Sequence, residues 1–260
     1  MIRILFIGDV VGKPGRRVVR SLLPEIKERY KIDFTIANGE NAAGGAGLTR
    51  KVADELHNYG IDILTSGNHI WDNRDIFSFI DNVDWVLRPY NYPPEAPGKG
   101  YGVFESRRGI HIAVINIMGR LFTGYFDCPF RAIENVLEKD LPEIKIIDFH
   151  AETTAEKQSF AFYVDGRVTA VIGTHTHVQT SDARILPKGT AYITDVGMTG
   201  GLNSVIGVKK ELYIKRFKTL LPVAFEPSKE RLGLEGVVLS LEEASGKVID
   251  IFSIRELLDE

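Results

Sequence analysis

The 260-residue sequence contains a single cysteine, Cys128, so the chain cannot form an intramolecular disulfide. A cysteine count of one gives no reason to place the protein in an oxidising compartment. The first apolar run, residues 4–7, is too short for the core of a secretory signal. No stretch approaches the roughly 20 apolar residues of a membrane span. We therefore expect a cytoplasmic protein with no membrane association.

An excess of charge of one sign is also missing. The formal net charge of -3 gives no general support for a nucleic-acid-binding surface, so we expect no stable nucleic-acid complex. This net charge is compatible with a small anionic substrate, because a local cationic site can attract it. The hydrophobic fraction of 44% is ordinary for a globular protein of this length. No repeat or linker divides the sequence, which predicts one domain over residues 1–260.

Short apolar runs alternate with helical patterns through most of the chain. The predicted strands are 2–7, 34–37, 61–65, 102–105, 110–117, 144–149, 168–172, 190–194, 234–241 and 247–254. The predicted helices are 16–30, 49–59, 73–80, 129–137 and 154–164. An α/β early part followed by hairpins predicts an α/β fold of two packed sheets with helices outside.

Five polar clusters each follow an apolar run. They read GDVVGKPG, ANGENAAGG, SGNHIWD, DFHAETT and IGTHTHVQT. Together they offer oxygen and imidazole donors and no thiol: Asp9, Glu40, Asn41, Asn68, His69, His150, His175 and His177. Ligand sites in α/β folds gather at the carboxyl ends of the strands, so we expect these side chains to converge. Such a donor set suits two divalent cations of Mn, Fe or Zn type.

The acidic clusters supply the expected anionic ligands. Asp9 would bind one cation, Glu40 would bridge two, and the Asn41 oxygen would bind one of them. Two cations about 3.5–4 Å apart repel each other and need an anion between them. The plainer interpretations are a turn or capping role for Asp9 and an Asx-turn at Glu40-Asn41. The glycines after Asp9 match neither common nucleotide-loop fingerprint.

The histidine clusters divide between metal and substrate. In extended backbone Asn68 could bind metal while His69 faces substrate and protonates the leaving oxygen. A period of two would put His175 and His177 on one face, within reach of two metals. His150 would complete the ligand shell of the second metal. Alternatively, His69 is a core or capping residue, the H-x-H pair faces solvent, and a lone His150 is structural.

Other residues carry weaker signals. Glu152 is assigned to the favourable position of an acid near a helix N-terminus. The basic segment 202–232 serves assembly or substrate capture, or is a solvated basic helix. The remaining candidates are phosphate contacts, or aromatic residues that stack on a base or belong to the core: Asn116, Arg120, Lys209, Tyr125 and Phe126.

The G-D, G-N-H and G-T-H-x-H motifs resemble those of the calcineurin-like metallophosphoesterase superfamily. This chain departs from the usual D-x-H, since Val11 follows at the histidine position, and Glu40 replaces the usual bridging aspartate. Those departures are similar to the YmdB-type family of bacterial 2',3'-cyclic nucleotide phosphodiesterases. The segments A-N-G-E-N-A-A-G-G and D-F-H-A-E-x-T-x-E-K also resemble that family, and the likeness covers residues 1–207.

The resemblance implies a four-layer α/β/β/α sandwich, a homo-oligomer and two divalent or mixed-valence metal ions per chain. Iron or manganese is expected, and zinc is an option. It implies one metal shell of Asp9, Glu40, Asn41 and His177, and a second of Glu40, Asn68, His150 and His175. In this scheme His69 is the general acid.

We therefore expect a metal-dependent phosphodiesterase that hydrolyses small nucleotides, above all 2',3'-cyclic nucleotides. A metal-bridging hydroxide would attack, with His69 protonating the leaving oxygen. One alternative is a phosphomonoesterase or nuclease on the same dinuclear site. Another is a non-catalytic, metal-containing regulatory protein, although leaving His69 outside both shells argues against a closed structural site.

Overall fold

Three buried apolar clusters order the chain into four layers. In the computed structural model, which describes residues 1–259, one cluster lies between two sheets and one covers the outer face of each sheet. In strand β1 (Ile2–Ile7), Ile4 and Phe6 face the other sheet, while Leu5 and Ile7 face helices. This is the alternation of a strand buried on both faces. The predicted α/β/β/α sandwich is confirmed.

The first sheet has seven strands, with three parallel strands at one end. They are β1, β2 (Asp9–Val10), β3 (Phe34–Asn38), β4 (Ile63–Thr65), β11 (Met198–Gly201), β12 (Leu232–Leu241) and β13 (Val248–Leu257). The order is β2-β11-β12-β1-β3-β4, and β13 pairs with β12. β1, β3 and β4 are parallel, whereas β12 is antiparallel to β1. Helices α1 (Gly12–Arg29) and α2 (Arg50–Asn58) cover the outer face.

The second sheet has six strands in the order β5-β6-β7-β8-β10-β9. They are β5 (Tyr101–Glu105), β6 (His111–Met118), β7 (Ile144–His150), β8 (Ala170–Thr174), β9 (Arg184–Ile185) and β10 (Ala191–Ile193). Strands β6, β7, β8 and β10 run parallel. Helices α3 (Pro129–Leu137) and α4 (Thr154–Val164) cover its outer face. A fifth helix, α5 (Lys210–Thr219), contributes no buried side chain.

Both predicted hairpins are present, as β5–β6 and β12–β13. Residues 73–80 do not form the predicted α-helix. Arg74–Ser78 and Ile80–Asn82 are two short 3₁₀ turns, since their backbone N–H groups bond to carbonyls three residues earlier. Helix α1 begins at Gly12 rather than residue 16, since Gly12 turns the chain with φ 57° and Pro14 fits a first turn. Among residues 1–259, no helix has the length and apolar character needed to cross a membrane.

Candidate metal centre

All eight predicted site residues lie where strands end. Asp9 opens β2, directly after β1. The others follow or end β3, β4, β7 and β8: Glu40, Asn41, Asn68, His69, His150, His175 and His177. Because β1, β3 and β4 are parallel, as are β7 and β8, their carboxyl ends share an edge within each sheet.

One group of donors surrounds Glu40. Its Oε1 lies 3.1 Å from His150 Nε2, and its Oε2 accepts the backbone N–H of His69 at 3.0 Å. His175 Nδ1 lies 3.0 Å from His150 Nε2. One atom from each of Glu40, His150 and His175 lies within 4.8 Å of the other two, close enough for one metal ion.

A second group of donors also contacts Glu40. His177 Nε2 is 3.5 Å from Asp9 Oδ1 and 3.3 Å from Asn41 Nδ2. Asn41 Nδ2 also donates to Glu40 Oε1 at 3.2 Å. The backbone N–H of His175 donates to Asp9 Oδ2 at 3.3 Å. Since the two groups meet at Glu40, the site offers two adjacent positions with one shared carboxylate.

Several features show that these residues fit metal ions. Within residues 1–259, Asn68 Oδ1 is buried without a hydrogen-bond donor, and the buried Asp9 Oδ1 has only the long 3.5 Å contact with His177 Nε2. A cation would relieve this costly state. A Cβ on Gly67 would lie 2.3 Å from the His150 ring and 2.5 Å from Glu40 Oε2, so only glycine lets the chain pass so close. Buried carboxylate, amide and imidazole donors are ligands for Mn, Fe and Zn.

The electrostatics of the centre also favour positive charge. Burial raises the pKa of the Asp9 and Glu40 carboxyls, but the adjacent histidines outweigh burial and hold both pKa values below their usual range. Burial lowers the pKa of His177, yet the Asp9 carboxylate raises it to about 9. Glu40 likewise outweighs burial and raises the pKa of His150 to about 8. Without metal the carboxylates bind protonated imidazoles, and metal ions would displace those protons.

Two imidazoles are oriented through Nδ1. His177 Nδ1 donates to the Ile206 carbonyl at 2.9 Å. His69 Nδ1 lies 2.7 Å from Asp72 Oδ2. Both residues line the same cavity, so Nε2 is the ring nitrogen left for a metal or a substrate.

His150 is oriented by a buried network. The Thr174 hydroxyl donates to Asp148 Oδ1 at 2.6 Å, so its oxygen accepts from His150 Nδ1 at 2.8 Å. Burial raises the pKa of Asp148 to about 6, which still leaves the carboxyl ionised at neutral pH. Asn38 Nδ2 donates to the other Asp148 oxygen at 3.1 Å. His150 therefore presents Nε2 to Glu40.

The prediction that strand geometry puts His175 and His177 on one face is wrong. Strand β8 ends at Thr174, and His175 and His177 have φ values of 100° and 62°. Positive φ breaks the alternation of an extended strand, so His175 approaches His150 and His177 approaches Asp9. Asn68 and His69 also lie in a turn, not in extended backbone.

A buried ion pair holds this strained loop. Lys157 Nζ donates to Asp195 Oδ2 at 2.8 Å and to the Thr174 carbonyl at 2.7 Å. Asp195 Oδ2 also accepts from the backbone N–H of Thr176 at 3.0 Å and from its hydroxyl at 2.7 Å. Strained backbone persists only where its surroundings over-determine it. The pair fixes the residue between the two histidines. Lys157 ends the D-F-H-A-E-x-T-x-E-K segment, but Asp195 lies in none of the sequence motifs.

The sequence also misplaces Glu152. Thr153 caps helix α4 and Glu156 is the acid of its first turn. Glu152 lies outside the helix, where its Oε2 is 3.1 Å from His175 Nε2. Burial and then His150 lower the pKa of His175 to about 3, so His175 is neutral at this contact. The acid two residues after His150 was the signal that could have identified this contact.

The weaker candidates lie elsewhere. Asn116 Oδ1 accepts the backbone N–H of Ser66 at 2.9 Å, Lys209 pairs with Glu226 at 2.7 Å, and Tyr125 is fully exposed. Within the described chain, the cavity beside the centre is not lined by any of Asn116, Arg120, Lys209, Tyr125 and Phe126.

Two sheets between helices, with oxygen and imidazole donors at the strand ends, define a metallophosphoesterase-type fold. The calcineurin-like phosphoesterase YfkN from Bacillus subtilis shares this fold with a TM-score of 0.60, at 13% identity over 98% of this chain and 90% of its own. The model of the YmdB-like protein family matches residues 5–254, and the chain belongs to this family. The predicted resemblance is confirmed.

Two relatives are much closer in sequence. The 2',3'-cyclic-nucleotide 2'-phosphodiesterase of Bacillus subtilis (strain 168) is 52% identical over 252 residues, 96% of this chain and 95% of the relative. A crystal structure from Mycoplasma pneumoniae, described as a novel phosphatase, superposes with a TM-score of 0.92 at 37% identity. That match covers 98% of this chain and 93% of the other.

Proposed function

We propose that this chain is a metal-dependent phosphodiesterase that hydrolyses small nucleotides, 2',3'-cyclic nucleotides above all. The observation that carries this proposal is the pair of donor groups that share Glu40, with Asn68 Oδ1 buried without a donor among residues 1–259 and Asp9 Oδ1 buried with only a long contact to His177. The substrate class is supported by the Bacillus subtilis relative, which is named for it.

The proposal assigns each donor to one of two ions. One shell is Asp9, Glu40, Asn41 and His177; the other is Glu40, Asn68, His150 and His175. When bound, two divalent ions would lower the pKa of a water towards neutrality and offset the phosphate charge. Among these assigned ligands only Asp9 and Glu40 are anionic, which leaves a net positive centre for a phosphodiester anion.

His69 is proposed as the general acid. Its side chain is 41% exposed and lines the cavity beside the donors. Asp72 binds Nδ1 at 2.7 Å, which leaves Nε2 to hold the proton for the leaving ribose oxygen. The backbone N–H of His69 donates to Glu40 Oε2 at 3.0 Å, so the acid is tied to the shared carboxylate.

Iron or manganese as the native metal, with zinc as an option, is part of the proposal, as is a homo-oligomer. Both follow from the family resemblance. Cytoplasmic location is proposed from the single cysteine.

The testing experiment is elemental analysis of the purified protein, combined with turnover of 2',3'-cyclic AMP before and after chelation. We expect about two Fe or Mn ions per chain and hydrolysis that chelator abolishes and metal restores. A metal-free protein, even after reloading, would overturn the site assignment. A protein with two metals and no phosphoester turnover would support the regulatory alternative.

A second candidate is phosphomonoester hydrolysis, because the Mycoplasma pneumoniae relative is described as a phosphatase. Parallel assays with a cyclic dinucleotide, a nucleoside monophosphate and short RNA separate the candidates. A higher kcat/KM for the monophosphate than for 2',3'-cyclic AMP would favour the phosphatase.

A further inference from the structure

The metal centre forms only one wall of a cavity of about 560 Å³. Glu40, His69 and His177 lie on that wall, and a second wall, from a separate segment of the chain, contains Tyr213, Arg216 and Phe225. A volume of this size is typical of small-ligand sites. The second wall can therefore contact the part of a substrate away from its phosphate.

The second wall belongs to residues 209–226. We call this segment the α5 arm because it contains helix α5. Two backbone hydrogen bonds close the base of the arm: Lys209 N–H to the Glu226 carbonyl at 3.0 Å and Ser228 N–H to the Gly207 carbonyl at 2.8 Å. Pro227 packs so tightly on the loop after Asp9 that a Cβ on Gly12 would lie 2.7 Å from it. The base of the arm is thus fixed against the metal-binding loops.

Two aromatic rings of the arm stack together beside the cavity. The ring centroids of Tyr213 and Phe225 are 4.4 Å apart at an interplanar angle of 27°. The Arg216 guanidinium carbon lies 5.2 Å from the Phe225 centroid. Tyr213 and Arg216 are three residues apart, so they share one face of α5. None of the three belongs to a buried apolar cluster, so core packing does not account for them.

Arg216 differs from the other cations of the arm because it lines the cavity and, in the described part of the chain, is not paired with a carboxylate. Lys209 pairs with Glu226 at 2.7 Å and Lys210 pairs with Glu230 at 2.8 Å. Arg216 has no carboxylate partner within residues 1–259, although it lines the cavity. A flat guanidinium beside two rings can stack on a base and donate hydrogen bonds to its edge.

We propose that Tyr213, Arg216 and Phe225 form a nucleobase-binding subsite for a nucleotide whose phosphate lies at the metal centre. This inference rests on the proposed function, because that function supplies the phosphate end of the ligand. A solvated basic helix accounts for the exposed Lys215 and Lys218, but leaves the stacked rings at the cavity without a role.

The test compares a substrate that has a base with one that lacks it. Metal-loaded wild type, Tyr213→Leu and Arg216→Gln are assayed with 2',3'-cyclic AMP and with glycerol 1,2-cyclic phosphate. Each substitution should raise KM for 2',3'-cyclic AMP by about 5- to 100-fold, the range for loss of one base stack, with kcat retained. Neither should change KM for the glycerol compound. Ile214→Ala, at a side chain that is 54% exposed on α5, is the matched control and should change neither.

Equal effects on both substrates, or an unchanged KM for 2',3'-cyclic AMP, would overturn the subsite. A binding titration with AMP separates failure of the subsite from failure of the proposed function. If wild type hydrolyses neither diester, the proposed function fails, but weaker AMP binding by Tyr213→Leu would still support the subsite. Unchanged AMP binding in that variant would refute it.

Discussion

The two walls of the cavity are built in opposite ways. On the metal side, Asp9, Glu40 and His150 are at most 1% exposed and each contacts other ligands. The α5 arm contributes no buried helical side chain, and Phe217 is 71% exposed. Metal ions need donors fixed to within a fraction of an ångström, whereas a base can be bound by rings that adapt to it. The difference predicts that substitutions on the metal side have large effects and those on the arm small or selective ones.

The largest effect should come from the carboxylate that both donor groups share. Glu40→Ala should release both metal ions and reduce kcat further than any other single substitution considered below, because no anion remains between the cations. Metal content by elemental analysis and turnover of 2',3'-cyclic AMP measure the two effects. Glu25→Ala, at a side chain that is 64% exposed, is the control. Wild-type metal content in Glu40→Ala would show that Glu40 is not the bridge.

The second prediction tests whether His69 acts in proton transfer and not in metal binding. His69→Ala should lower kcat by about 10²–10⁴-fold, the usual contribution of a general acid, while both ions stay bound. His111→Ala, on an exposed strand end, should leave kcat unchanged. Loss of metal from His69→Ala would place His69 among the ligands and contradict its assigned role.

These large effects fall on residues that sequence alone predicted. Glu40 and His69 follow strongly apolar strands, and strand period and turn chemistry locate such positions well. The same patterns predicted two packed sheets with helices outside, while the four-layer sandwich was implied by the family resemblance. The structure agrees, since β1 alternates between two apolar clusters.

Sequence could not reveal contacts that depend on tertiary structure. Lys157 and Asp195 are 38 residues apart, and only the packing of α4 beside β8 and β10 brings them together. The left-handed backbone of His175 and His177 is also imposed by that packing, against the preference of both residues. Helix α5 buries no side chain, so no apolar pattern locates it relative to the centre.

The third prediction tests the ion pair behind the strained loop. Lys157→Met and Asp195→Asn each leave a buried group without its partner, so each should lower the unfolding temperature. The double variant removes both charges and should recover part of that loss. It should still bind metal about 10–100-fold more weakly, the usual effect of removing groups that support metal ligands. Competition with a chelator measures this, and wild-type affinity in a folded double variant would exclude the positioning role.

The fourth prediction concerns pH. The carboxylates raise the pKa values of His177 and His150 to about 9 and about 8, after opposing burial. A histidine with a raised folded pKa stabilises the fold below its unfolded pKa, and that stabilisation is lost as pH rises through the folded value. Metal-free protein should therefore lose on the order of 4 kcal/mol of unfolding free energy between pH 6.5 and 9.

Metal-loaded protein should lack this loss, since the ions occupy the positions of the protons. His177→Asn should reduce the loss in the metal-free state. Denaturant unfolding at several pH values provides the measurement. An equal decline with and without metal would show that other groups cause it.

The smallest effect should come from the arm. A phenylalanine can be removed from α5 and, for comparison, from the buried face of α4. Phe160 in α4 is fully buried and stacks on Phe149 with centroids 4.2 Å apart, so Phe160→Ala should cost about 3–5 kcal/mol of unfolding free energy. Phe217→Ala in α5 should change it by less than about 0.5 kcal/mol, because its ring is already 71% exposed. Denaturant unfolding of dilute protein compares the two. A cost for Phe217→Ala near that for Phe160→Ala would mean that the arm is held as firmly as the core, and the contrast between the walls would fail.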